Sequence, residues 1–155
     1  MTPAITLLQK KRIAHDVLKY QHDSNAPSYG LEAAEKLNLE ASAVFKTLVV
    51  ASDSGQLAVA VVPVNTMLSE KKMAKILGVK KVAMAKADHV IAATGYILGG
   101  VSPLGQKKSL PTVVHNSAQQ LKRIYVSAGR RGLEVALSPD DLTALTRGRF
   151  ADITG

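Results

Sequence analysis

Two apolar runs joined by a short turn constrain this chain more than any other feature. Val44-Phe45-Lys46-Thr47-Leu48-Val49-Val50 is rich in β-branched residues, Asp53-Ser54-Gly55 marks a turn, and Leu57 to Val64 is a second run of the same kind. Runs of this length bounded by turn residues read as the two strands of a hairpin. Lys46 is the anomaly within it. A lysine among valine, phenylalanine and leucine is desolvated unless a partner or a cleft receives its ammonium. Period-two alternation puts Val44, Lys46 and Leu48 on one face and Phe45, Thr47 and Val49 on the other. Two readings stay open: an edge or solvent-facing lysine, or a site lysine that offers a point charge to a phosphate or a ribose-linked carbonyl.

The elements around the hairpin are legible from caps and periodicity. Thr2-Pro3 reads as an N-cap and a proline at the first helical position, with Ala4, Ile5, Leu8 and Arg12 at helical spacing. Ile13 to Tyr20 is compatible with a strand that delivers Tyr20 at its end, and 21–29 reads as a loop. Short helices are expected over Leu31–Leu37, over Met67–Leu77 with Gly78 past its end, and over Ala87–Ala93 closed by Gly95. Lys80–Met84 and Thr112–His115 read as strands. Ile124–Ser127 and Leu133–Leu137 form a further hairpin around Ala128-Gly129-Arg130-Arg131-Gly132. Ser138-Pro139-Asp140-Asp141 caps a last helix through Thr146, and Phe150 to Ile153 packs the tail. Strands outnumber helices and come partly in hairpins. The expected fold is therefore α/β of the α+β kind, a mixed, largely antiparallel sheet or pseudo-barrel surrounded by helices, in one domain spanning 1–155.

Between the third short helix and the strand at Thr112 lies the segment Thr94-Gly95-Tyr96-Ile97-Leu98-Gly99-Gly100-Val101-Ser102-Pro103-Leu104-Gly105-Gln106-Lys107-Lys108. Glycine lets a ligand approach the main chain closely, so such a segment can aim bare N–H groups at an oxygen. The plain alternative is a glycine-rich turn. It matches neither the dinucleotide fingerprint nor the phosphate-loop pattern.

Charge and composition narrow the function. Lys plus Arg is 20 against 12 acidic residues, a formal net charge of +8, which favours a polyanionic partner, nucleic acid ahead of membrane. Aromatic residues are only 4%, too few for a base-stacking platform, so contacts to the backbone of a folded RNA suit the chain better. With no cysteine there is neither a disulfide nor a thiolate nucleophile. His15, His22, His89 and His115 lack metal spacing, and no G-x-S-x-G elbow or paired carboxylates occur. Ser102 and Ser127 have no obvious base. No metal or cofactor is expected, and chemistry would rest on positioning, backbone donors and a nucleophile supplied by water or substrate. A polar-basic start in place of an apolar leader, and no run long enough to span a bilayer, lead to the expectation of a cytoplasmic protein without membrane attachment.

Four motifs occur in order: Val44-Phe45-Lys46-Thr47-Leu48-Val49; Gly95 to Lys107; Tyr125-Val126-Ser127-Ala128-Gly129-Arg130-Arg131-Gly132-Leu133; and Leu137-Ser138-Pro139-Asp140-Asp141-Leu142. Together they resemble the YbaK/EbsC family of aminoacyl-tRNA deacylases, and the likeness extends to Met1–Ile5 and Glu32–Leu37. The resemblance implies a fold related to the editing domain inserted in bacterial prolyl-tRNA synthetases. It also implies hydrolysis of Cys-tRNA(Pro) in trans, with mischarged tRNA(Pro) and prolyl-tRNA synthetase as partners. Cysteine and proline are close in volume, so a synthetic site cannot separate them by size and a second site must clear the errors. In the family the lysine matching Lys46 is functional, the glycine loop binds near the scissile carbonyl, and the substrate thiol attacks its own ester. The site so implied is Lys46, Gly99 and Gly100 for catalysis and Tyr20, Ser102, Ser127 and Gly129 for binding. Relatives that hydrolyse alanine share the lysine, so Ala-tRNA(Pro) or another mischarged tRNA stays an alternative. So does a module that binds tRNA or synthetase without catalysis. Lys71-Lys72, Lys80-Lys81, Lys107-Lys108 and Arg130-Arg131 are the candidate tRNA contacts.

Overall fold

The apolar hairpin is the centre of the larger of two sheets. The computed structural model describes residues 1–26 and 28–155; Pro27, within the loop expected at 21–29, lies outside the described residues. In chain order the elements are α1 (Pro3–Lys10), β1 (Asp16–Lys19), α2 (Tyr29–Lys36), β2 (Phe45–Ser52), β3 (Leu57–Pro63), α3 (Glu70–Leu77), β4 (Val82–Met84), α4 (Ala87–Thr94), β5 (Thr112–His115), β6 (Ile124–Arg130), β7 (Leu133–Leu137), α5 (Pro139–Thr146) and β8 (Arg149–Ala151), with 3-10 turns at Ala41–Ala43 and Asn116–Gln120. One sheet has the order β4-β2-β3-β5-β8 and the other β1-β7-β6.

Four of the six strand pairings are antiparallel; β3–β5 and β5–β8 are parallel. The mixed, largely antiparallel α/β fold read from the sequence is borne out. Beyond it, residues 149–151 form a parallel edge strand on β5 where the sequence suggested only a packed tail. The two sheets meet at an isolated parallel bridge between Val44 and Tyr125.

The central strand β3 explains the layering. Its alternate residues serve two cores, which is why its sequence is apolar without a polar face. Val59 and Val61 join Phe45 in a cluster with Ile124, Val126 and Val135 of the small sheet and Leu8 of α1. Ala58, Ala60 and Val62 pack the other way, against Met73 and Ala74 of α3 and Ile153 of the tail.

The caps follow simple chemistry. Side chains of Thr2, Ser28, Ser69 and Ser138 each accept from an N–H in the first turn of the helix that follows. Ser69 and Ser28 also account for the boundaries that differ from the sequence reading: α3 starts at Glu70 rather than Met67, and α2 at Tyr29 rather than Leu31. A serine hydroxyl that satisfies an otherwise orphaned N–H sets the start of a helix more firmly than apolar spacing does.

Candidate active site

The short edge strand β4 pairs with β2 only from Val50 to Ser52. On that side the Phe45–Leu48 edge has no strand partner among the described residues, and a cleft of ≈ 280 Å3 lies there. Its walls are Phe45–Val49 of β2, Tyr20 after β1, Ser28–Gly30 at the start of α2, Leu98, Gly99 and Val101 of the glycine-rich segment, and Ser127 and Glu134 of the β6–β7 hairpin.

Lys46 reaches this cleft. Its Nζ donates to the Thr66 carbonyl at 2.7 Å, and partial burial holds its pKa below the usual lysine value. Lys46 thus sits on the unpaired edge of β2 and lines the cleft beside it. α2 is able to come this close because position 30 is glycine: a Cβ there would lie 2.4 Å from Val64 Cγ1.

Opposite runs a polar wall. Glu134 is buried, faces Ser127 across the β6–β7 register, and among the described residues makes no hydrogen bond or ion pair. Burial pushes its carboxyl up to about 8, so it is largely neutral at pH 7. The Tyr20 hydroxyl is raised to about 12, first by burial and then by the neighbouring Glu134. Thr47 Oγ1 is buried without a partner among the described residues. The Ser127 hydroxyl accepts from Gly129 N–H at 3.2 Å. Unpartnered polar groups that converge on a cleft are costly to keep dry, and a ligand's own polar atoms would relieve that cost.

Of the seven residues implied by the sequence, Lys46, Gly99, Tyr20 and Ser127 line the cleft. The other three, Gly100, Ser102 and Gly129, are not among its lining residues. Gly100 donates its N–H to the Ile97 carbonyl at 3.0 Å, and a Cβ there would meet Arg130 Cα at 2.8 Å. Its amide is therefore committed to a turn, whereas Gly99 N–H has no protein acceptor among the described residues. Ser102 is fully buried and accepts from Leu104 N–H at 3.2 Å, which shapes the bend before Pro103 and Leu104. Gly129, at φ +112°, gives way to the Tyr96 ring and Thr2, contacts of 2.8 and 3.0 Å for an added Cβ. Tyr96 in turn donates to the Leu104 carbonyl at 2.6 Å. These residues brace the glycine-rich segment.

The sequence reading passed over Glu134, Thr47, Tyr29 and Gly30. The signal for Glu134 was present, since a carboxylate inside Leu133-Glu134-Val135-Ala136-Leu137 is as anomalous as Lys46 in its own strand. Among the four histidines none lines the cleft. His22 binds the buried Glu32 at 2.7 Å, and His115 accepts from Ile153 N–H at 3.3 Å. No helix of the described residues is long and apolar enough to cross a membrane.

With this geometry in hand, the relatives are informative. The family model for the aminoacyl-tRNA editing domain matches residues 24–145. The Enterococcus faecalis protein EbsC, whose name proposes it as a Cys-tRNA(Pro)/Cys-tRNA(Cys) deacylase, is 47% identical over 121 residues, covering 78% of this chain and 74% of that protein. The proline–tRNA ligase of Shouchella clausii is 33% identical over 119 residues, which are 77% of this chain but 20% of the ligase. A crystal structure of a protein whose description proposes it as a trans-editing enzyme for prolyl-tRNA synthetase has the same fold, with a TM-score of 0.84 at 22% identity, covering 99% of this chain and 97% of that one. The chain belongs to the aminoacyl-tRNA editing domain family, the group its four motifs resemble.

Proposed function

We propose that the protein is a trans-acting hydrolase that removes cysteine from Cys-tRNA(Pro). The observation that carries this reading is the make-up of the cleft: a fixed lysine ammonium, a glycine amide without an acceptor among the described residues and a buried carboxyl, with no lining hydroxyl hydrogen-bonded to a base among those residues. Such a site suits a substrate that brings its own nucleophile. The name of EbsC and the similarity to a segment of a proline–tRNA ligase support the choice of amino acid and of tRNA.

Lys46 would neutralise the terminal adenosine's phosphate or hold its ribose, with Thr66 steering the ammonium. Gly99 N–H would donate to the ester carbonyl oxygen as it gains negative charge. Glu134 would face the aminoacyl ammonium, whose approach favours the ionised carboxylate. The cysteine Sγ then attacks its own ester carbon, the tRNA ribose oxygen departs with the thiol proton, and water opens the resulting cyclic thioester to free cysteine. Tyr20 and Ser127 would shape the pocket around the side chain. Prolyl-tRNA synthetase would be the partner that supplies the mischarged tRNA.

Release of labelled amino acid from Cys-tRNA(Pro) and Ala-tRNA(Pro) tests the reading. Wild type is expected to clear cysteine preferentially, and Lys46→Ala to lose at least about 100-fold in rate. Faster release of alanine would move the protein to the alanine-specific relatives. Tight tRNA binding without deacylation, unchanged in Lys46→Ala, would make it a binding module instead.

A further inference from the structure

Beside the cleft, three chain segments meet in a clamp. Arg131, in the β6–β7 turn, donates from Nη2 to the Leu98 carbonyl at 2.7 Å. Its guanidinium lies over the Tyr29 ring with Cζ 4.6 Å from the centroid, and the His22 ring stands at 5.5 Å from the same tyrosine. Gly99 sits against both partners: at φ +84°, a Cβ there would be 2.7 Å from Arg131 Nε and 2.7 Å from Tyr29 Cε2. Arg131 Nε is buried and has no acceptor among the described residues. A guanidinium that gives up hydration at one nitrogen, stacks on a ring and donates to a main-chain carbonyl is held by shape as well as by charge.

This arrangement has a consequence for Gly99. Leu98 and Gly99 share a peptide group, so the carbonyl that accepts from Arg131 lies in the same plane as the N–H of Gly99, a residue that lines the cleft. Fixing the oxygen fixes the direction of that N–H. We propose that Arg131 is a positioning residue, which with Tyr29 orients the Leu98–Gly99 peptide so that its N–H faces the reacting carbonyl. The assignment replaces a tRNA contact at this arginine and rests on the deacylase reading for its catalytic consequence. A planar fork that both stacks and donates is required, so lysine cannot substitute although it keeps the charge.

The test compares Arg131→Lys and Arg131→Gln with wild type by steady-state deacylation at several salt concentrations and by hydrogen exchange of the amides at 97–101. Both variants are expected to lose about tenfold in kcat, with KM within about twofold, and to exchange faster at 97–101. The idea is overturned if exchange is unchanged. It is equally overturned if Arg131→Lys behaves as wild type while Arg131→Gln raises KM and flattens its salt dependence, the pattern of a phosphate contact. Should wild type release no amino acid from any charged tRNA, the deacylase reading fails, and the exchange measurement still decides whether the clamp orders the loop.

Discussion

Burial keeps the Glu134 carboxyl protonated up to about pH 8, against an ordinary value of 4.5. Between those two values the folded protein holds a proton that the unfolded chain has released, so stability falls as pH rises through the window. Glu134→Gln keeps the shape and removes the ionisation. The variant is expected to match wild type near pH 4.5 and to exceed it above pH 8, by on the order of 4 kcal/mol, in urea denaturation read at a series of pH values. A pH dependence unchanged by the substitution would mean that Glu134 does not titrate in this way. Lys46 and Glu134 are the same kind of residue, a charge in an apolar strand, and both were visible as anomalies in the sequence. Their meeting in one cleft was not, because they lie 88 positions apart and only the packing of two sheets brings β2 near β7.

At the scale of elements, the lysine's anchor depends on the tail. Thr66, whose carbonyl holds Lys46, lies in the link between β3 and α3. Ser69 N–H donates to the Ile153 carbonyl at 2.7 Å and Gly155 N–H to the Met67 carbonyl at 3.0 Å, which ties that link to the end of the described chain. Ile153 is fully buried against Met73 and Val62. Ile153→Ala is expected to cost about 2–4 kcal/mol in urea denaturation. A loss below about 1 kcal/mol would mean the tail is not part of the core. Helix positions were readable because caps and periodicity act over a few residues, as at Thr2-Pro3 and Ser138-Pro139. The strand character of 149–151 was not readable, since three residues gain their ladder only from a parallel partner 36 positions earlier.

For the molecule as a whole, the net charge of +8 should govern encounter with tRNA rather than the chemical step. Lys71, Lys80, Lys81, Lys107 and Lys108 are all exposed. The KM for charged tRNA is expected to rise by about tenfold between ~50 and ~200 mM salt with kcat unchanged. A salt-independent KM would remove the polyanion argument. The sequence alone determined the family, the strand-rich mixed architecture, the basic surface and the lysine at its centre, because motifs, alternation and charge are properties of neighbours along the chain. Tertiary structure alone decided which glycine keeps an amide without an acceptor among the described residues, that Ser102 and Gly129 brace the loop, and that Glu134 is dry enough to stay neutral. Those outcomes depend on which distant surfaces exclude water from a side chain, and no local pattern encodes that.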